Sequence, residues 1–202
     1  MMKLLYKKLI ATLLIVFFAS LVNAQANNTQ VKNSQLDNGL ATNKVGGNFF
    51  LTDHDSQPFE LHQLKNNVVL MFFGYTSCPD ICPSELGRMA QILNNFEDRS
   101  DKVKGLFISV DPDRDSPQIL KGYTAYFSQN LKGLTGSLEE INEVTDLFRV
   151  KYEITKNAEN RIVVDHSSTL YIIDKKGDLN TMVPYGMSAA HIINVIERLL
   201  EE

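Results

Sequence analysis

Cys78 and Cys82 are the only cysteines of the chain, and they stand together in Cys78-Pro79-Asp80-Ile81-Cys82-Pro83, just after the apolar run Val68 to Tyr75. Pro83 suits the first turn of a helix, where a missing N–H leaves no bond unmade, and Leu86, Met89, Ala90, Leu93 and Phe96 recur beyond it at helical spacing. Two thiols four apart across a first helical turn share one side, close enough to bridge or to hold one metal ion between them. A bridge closing so short a loop is worth only about 2 kcal/mol, the low end for a structural staple. The unpaired N–H groups and positive dipole end of the helix favour thiolate over thiol, and a thiolate is both a nucleophile and a soft metal ligand.

A third partner decides between those chemistries. Of the four histidines, His54 falls in a polar turn, His62 beside a short strand and His191 in the first turn of the last helix, all positions of surface or capping duty. His166 differs: it lies in Val163-Val164-Asp165-His166-Ser167-Ser168, directly before an apolar strand that starts at Thr169. Two thiolates and one imidazole form a soft, low-coordinate set that suits Cu(I), while Cu(II) requires a further nitrogen or oxygen ligand. Structural zinc takes four protein ligands, and no third cysteine is available. Asp165 is a candidate fourth ligand, an acceptor orienting the imidazole, or a turn cap; His166 itself can serve instead as a hydrogen-bonded polar group at a sheet edge.

The elements that must position these residues follow from periodicity. Asn48 to Thr52 and Phe59 to Leu61 flank the polar turn Asp53 to Pro58, which predicts an opening hairpin. The continuous apolar run at 68–73 predicts a strand buried on both faces. Val103 to Val110 predicts a second strand, followed by a helix that Ser116 caps and Pro117 starts. Leu134-Thr135-Gly136 is a short strand candidate, and Ser137-Leu138-Glu139-Glu140 is a capping box before Ile141, Val144, Leu147 and Phe148. Thr169 to Ile173, the turn Asp174 to Asp178 and Leu179 to Val183 predict a closing hairpin, with Ser188 capping a last helix through Leu199.

Strands alternating with helices make this an α/β chain, and the order fits a thioredoxin-like central sheet flanked by helices, with an opening hairpin and a closing hairpin plus helix. In such a sheet the strand at 169 starts opposite the cysteine corner, where a thiol oxidoreductase carries a cis proline. No proline occurs between Pro117 and Pro184, and His166 stands near that place.

Lys3, Lys7 and Lys8, the apolar run Leu9 to Val22 and the small-residue site Val22-Asn23-Ala24 predict a signal peptide over 1–24. The run is shorter than the roughly 20 residues a spanning helix needs, and a retained amino-terminal anchor is the alternative. Residues 25–44, rich in Asn, Gln, Thr and Ser, predict a flexible tether, leaving 45–202 as one folded domain. Net charge is −4, and loss of the three leader lysines makes the domain more acidic, which argues against nucleic acid as a partner.

Four ordered stretches carry a resemblance: Gly74-Tyr75-Thr76-Ser77-Cys78-Pro79-Asp80-Ile81-Cys82-Pro83, Ile108-Ser109-Val110-Asp111-Pro112-Asp113-Arg114-Asp115-Ser116-Pro117, Leu134-Thr135-Gly136 and Val164-Asp165-His166. Together they resemble the Sco/SenC family of copper-handling proteins, from about Gly46 to the carboxyl terminus. The resemblance implies a thioredoxin-like fold with copper held by Cys78, Cys82 and His166. It also implies a role in maturing the binuclear copper centre of cytochrome c oxidase, as copper donor, as reductant of that centre's cysteines, or both.

The leading expectation is therefore an exported copper metallochaperone, periplasmic or otherwise extracytoplasmic, with anchoring to the inner membrane through a retained 1–24 segment as the alternative, whose Cys78–Cys82 pair binds metal when reduced and not when bridged. Its implied partners are a copper-accepting oxidase subunit, other copper chaperones and thiol reductants, and a monomer is the default state. The alternative is a thiol-disulfide reductase using the same redox-active pair. A peroxidase ranks last, since Tyr75 occupies the place where a Thr or Ser would precede the nucleophile. Asp111, Asp113 and Asp115 alternate like a calcium loop, yet Ser116 and Gly122 stand where that loop needs Gly and Glu, so turn and cap duty is expected. Met71, Met89, Met182 and Met187 are soft donors by chemistry, and packing is the expected role for those in apolar runs.

Overall fold

The computed structural model of the chain describes residues 44–156, 162–166 and 168–202; the side chains of Ile154, Lys156 and residues 162–166 fall outside that description. The expected leader over 1–24 and all but the last residue of the expected tether over 25–44 lie outside the described residues. The folded unit is Val45–Glu202.

Chain order is β1 (Phe50–Asp53), β2 (Pro58–Glu60), β3 (Val68–Gly74), α1 (Ile81–Asn95), β4 (Val103–Ser109), α2 (Pro117–Phe127), β5 (Leu131–Thr135), α3 (Leu138–Leu147), β6 (Tyr152–Lys156), β7 (Ile162–His166), β8 (Leu170–Ile173), β9 (Leu179–Val183) and α4 (Ala189–Glu201). Seven strands form one sheet in the order β2-β1-β5-β4-β3-β8-β9, and β6 pairs with β7 in a separate two-stranded ribbon. The centre of the large sheet is parallel, β3 with β4 and β4 with β5, and the two hairpins flank it in antiparallel register. This is the thioredoxin-like α/β arrangement that the alternation of strands and helices predicts.

Every residue of β3 is buried, as a strand covered on both faces must be. Phe72 stacks on Phe107 of β4 on one face, while Phe73 meets Phe148 and Tyr171 on the other. Helix ends follow the expected chemistry: Ser116 and Ser188 accept from Ile119 and His191 N–H groups, and Ser137 with Glu140 closes a reciprocal capping box. Close packing depends on two glycines. A methyl at Gly105 would lie 2.8 Å from Leu93, and one at Gly133 would lie 2.8 Å from Leu120, so α1 and α2 can sit directly on β4 and β5. α2 is thereby placed with Tyr123 against Phe107, ring centroids 5.6 Å apart.

The ribbon β6–β7 is an addition to the expected elements. The sequence reading treats Val163 to Ser168 as the approach to the strand at 169, whereas the structure pairs Tyr152 with His166 and Lys156 with Ile162 in antiparallel register. β5 also starts earlier than expected, at Leu131, whose side chain fills the space over Gly105.

One half-buried histidine, His54, fastens the opening hairpin to the sheet. His54 Nδ1 accepts the Gly133 N–H at 3.1 Å, and the His54 N–H donates to the Gly133 carbonyl at 2.9 Å. Burial, then the Lys132 ammonium, hold the imidazole below its ordinary value of 6.5. The unfolded chain therefore takes up this proton more readily than the native one, and stability is full above pH 6.5 and falls as pH drops below it, at up to about 1.4 kcal/mol per pH unit. Urea midpoints measured at pH 7.5 and 5.5 should differ more for the wild type than for His54→Asn, whose amide oxygen keeps the Gly133 acceptor without titrating. Equal differences would show that His54 does not carry this dependence.

Candidate functional site

The cysteine corner is the link from β3 to α1. β3 ends at Gly74, the Cys78 N–H closes a turn onto the Tyr75 carbonyl at 3.2 Å, and α1 begins at Ile81. Cys82 is fully buried and Cys78 half-buried, and the two are not joined by a disulfide. The Cys82 sulfur lies against the backbone of β3: a methyl at Gly74 would come within 2.7 Å of it and 2.9 Å of the Phe107 ring. The Tyr75 backbone N–H also hydrogen-bonds this sulfur.

The expected preference for thiolate does not hold at Cys82. Its ionisation is pushed well above the ordinary thiol range, first by burial and then by the Cys78 sulfur and the Asp115 carboxylate. A helix terminus contributes typically 0.3–1 kcal/mol at an exposed site, which a sulfur sealed under Gly74 and Phe107 does not recover. A metal ion or an oxidant must therefore displace the Cys82 proton rather than meet a thiolate already formed.

Asp115 organises the loop from below. It is fully buried and accepts from the Thr76 backbone N–H at 3.0 Å, from the Ser109 hydroxyl at 2.6 Å and from the Thr76 hydroxyl. The loop carrying Cys78 is thus bound to the end of β4 and to the turn before α2. Asp111 pairs with Arg114, whose guanidinium lies 5.7 Å from the Tyr75 ring centre. These contacts give the Asp111–Asp115 run the turn role expected of it, while the cap of α2 is Ser116. Asp115 as a loop tie went unread in the sequence; the signal was its place in a turn after a buried strand.

Two further contacts bind α1 to the segment before α4. The buried Glu85 pairs with Arg88, which also donates to the Met187 carbonyl, and the Ser84 and Tyr185 hydroxyls meet at 3.0 Å. Burial raises the Glu85 carboxyl above its usual range. Tyr123 reaches the corner from α2: its hydroxyl is buried without a hydrogen-bond partner among the described residues. Burial, then Cys82, Cys78 and Asp115, push its ionisation upward.

His166 ends β7, four residues before Leu170. Leu170 pairs with Phe72, close to the end of β3 from which the cysteine loop departs. The backbone thus brings His166 towards the cysteine end of the sheet, while its side chain and that of Asp165 lie outside the description. Among the described residues no group of three or more His, Cys, Asp or Glu side chains is arranged to hold a metal ion. His54, His62 and His191 take structural places: His54 on Gly133, His62 beside Glu60, His191 in the capped turn of α4. Met71 and Met89 are core residues, as expected.

Because Asp115 takes three donors in a buried site, Asp115→Ala should lower unfolding free energy by about 3 kcal/mol, through orphaned Thr76 and Ser109 groups. Asp115→Asn, which keeps one acceptor oxygen, should lose less. Chemical denaturation of the three proteins measures this, and a loss below about 1 kcal/mol for the alanine variant would remove Asp115 as the tie.

The SCO1/SenC family profile matches residues 37–201. An SCO2-like protein of Rickettsia felis is 40% identical over 136 residues, which span 66% of this chain and 66% of that relative's length. The Arabidopsis thaliana ScoI structure with copper bound superposes with a TM-score of 0.72 at 32% identity, covering 78% of this chain and 98% of that one. BsSco, described as a member of the Sco family of cytochrome c oxidase assembly proteins and as containing a disulfide switch, gives 0.63 at 27% identity, over 78% of this chain and 94% of its own. The match of profile, sequence and fold over nearly all of the folded unit means that the chain belongs to the SCO1/SenC family.

Proposed function

We propose that this protein is a copper metallochaperone that binds Cu(I) through Cys78, Cys82 and His166 and serves the maturation of the binuclear copper centre of cytochrome c oxidase. The observation that carries the reading is the pair of unbridged cysteines at the start of α1, on the end of the sheet toward which the chain returns at His166. The sulfurs are soft donors in a largely apolar corner, a donor set that fits a soft monovalent ion better than zinc or calcium. The copper-bound Arabidopsis relative and the oxidase-assembly description of BsSco support the same cargo and the same destination.

Copper is the cargo in this reading. Cys78, half-exposed, is the sulfur an incoming metal or partner thiolate reaches first, and the buried Cys82 completes the pair once its proton leaves. Release reverses the order, with a partner ligand replacing Cys78 or His166 before Cys82 lets go. Oxidation of the pair to a disulfide removes two ligands at once, so redox state gates binding. Export fits this role: residues 1–24 act as a leader or anchor and 25–44 as a tether holding the domain beside a membrane-bound acceptor. No helix among the described residues is long and apolar enough to cross a membrane.

The asymmetry of the pair supports a second reading. A half-exposed thiol followed by a buried one at a helix start is the arrangement of an attacking and a resolving sulfur in thiol-disulfide exchange. On that reading the protein reduces cysteines of the oxidase subunit.

Anaerobic titration of the reduced domain with Cu(I) against a competing chelator should show one ion bound per chain. Affinity should fall at least 100-fold for Cys78→Ser and Cys82→Ser and about 10–100-fold for His166→Ala, and the oxidised protein should not bind. Binding indifferent to His166, with full reduction of a disulfide peptide by the His166→Ala protein, would replace the chaperone with the reductase.

A further inference from the structure

Two consecutive residues of one turn hold two consecutive residues of the cysteine loop. Asp115 takes the donors of Thr76, and Arg114 lies over Tyr75, its guanidinium carbon 5.7 Å from the ring centre. Asp111 anchors the arginine. Its buried carboxylate accepts from Arg114 Nε, and its carbonyl accepts the backbone N–H groups of Arg114 at 3.2 Å and Asp115 at 3.0 Å. The guanidinium is otherwise poorly served by hydrogen bonds: Nη2 is buried with no partner among the described residues, a condition that costs free energy. What the group gains at that place is the face of the Tyr75 ring, which attracts a cation within about 6 Å.

Tyr75 stands between the two cysteines. Its carbonyl takes the Cys78 N–H at 3.2 Å. Its peptide link to Gly74 lies where Cys82 meets β3: a methyl on Gly74 would come within 2.7 Å of that sulfur, and the carbonyl of the same peptide takes the Val110 N–H at 2.8 Å. Any displacement of the buried Tyr75 ring therefore moves the acceptor of Cys78 and the support of Cys82 together. We propose that Arg114 is a positioning residue of the cysteine pair, which stacks its guanidinium on Tyr75 and so fixes the backbone against which Cys78 and Cys82 rest. The turn 111–115 then acts as a clamp with two contacts, the carboxylate of Asp115 on Thr76 and the guanidinium of Arg114 on Tyr75.

Arg114→Lys keeps the positive charge and a donor for Asp111 but gives up the planar group that stacks on the ring. Two measurements decide the matter: the Cu(I) affinity of the reduced protein by chelator competition, and amide hydrogen exchange of the reduced, metal-free protein followed by NMR. The copper measurement rests on the reading of the pair as metal ligands, whereas exchange reads the Cys78 N–H directly. Affinity should fall about tenfold and the Cys78 amide should exchange about tenfold faster, with the amides of β3 unchanged. Asp111→Asn, which leaves the guanidinium intact but loosens its anchor, should give the same two changes, and the double variant no more than either alone. Wild-type values for Arg114→Lys would overturn the proposal, since charge alone would then suffice. So would faster exchange throughout β3, which would make Arg114 a general packing residue, and so would additive losses in the double variant. If the wild type itself fails to bind Cu(I), the chaperone reading falls while the Cys78 amide still decides the role of Arg114.

Discussion

The sulfur of Cys82 rests on the backbone of β3 at Gly74, with no room for even a methyl group between them. That one contact sets how α1 must approach the sheet. The helix can bring its first turn this close only because position 74 has no side chain, and because Phe107 on the neighbouring strand closes the same space from the side. Once the contact exists, Cys78 is confined to a short loop between the strand end and the helix start. That loop needs its own fixings, which Asp115 supplies through Thr76 and the Tyr75 turn supplies through the Cys78 N–H. Every other tie of the corner, from Ser109 to the Glu85–Arg88 pair, holds one of these pieces in place.

The same closeness determines the electrostatics. Sealing a sulfur from water disfavours its charged form, and the helix terminus, a nearby sulfur and a buried carboxylate act on it together. Burial wins, with Cys78 and Asp115 acting in the same direction, so Cys82 keeps its proton until something takes its place. A site arranged this way discriminates by charge: a soft cation would stabilise both sulfurs, whereas solvent reaches only Cys78. The half-exposed Cys78 is the contrast on which both proposed chemistries rely, since exchange of metal or of a disulfide requires one accessible sulfur.

Much of this was legible in the sequence because it rests on local rules. The double-faced burial of β3, the serine caps at 116, 137 and 188 and the closing hairpin all have short-range signatures, and each occurs where its residues indicate. The raised ionisation of Cys82 had no such signature, because it depends on Gly74 and Phe107, which are neighbours of the sulfur only after β3, β4 and α1 have packed. Asp115 shows the same limit. In the sequence it is one of three alternating aspartates, and only the fold turns it toward Thr76, thirty-nine positions away. The β6–β7 ribbon was missed for a different reason. Tyr152-Glu153-Ile154-Thr155-Lys156 alternates as a strand should, but its partner Ile162 to His166 has only three apolar residues before polar ones and lies just before β8, so it reads as the approach to that strand.

That division into two sheets bears on how the proposed ligand set is built. Cys78 and Cys82 belong to the seven-stranded sheet and its first helix, whereas the His166 backbone is paired in a ribbon that shares no strand register with that sheet. Tyr152, the register partner of His166, ties the ribbon to α3 through its hydroxyl on Asn142 at 2.6 Å. A site that used all three residues would therefore join two separately hydrogen-bonded sheets. Binding would add a link between them beyond the packing of Tyr152 on the core. In such a site the imidazole is the ligand whose loss disturbs the fold least. The order of release proposed for the cargo, with the buried sulfur last, follows from that architecture as much as from the exposure of the thiols.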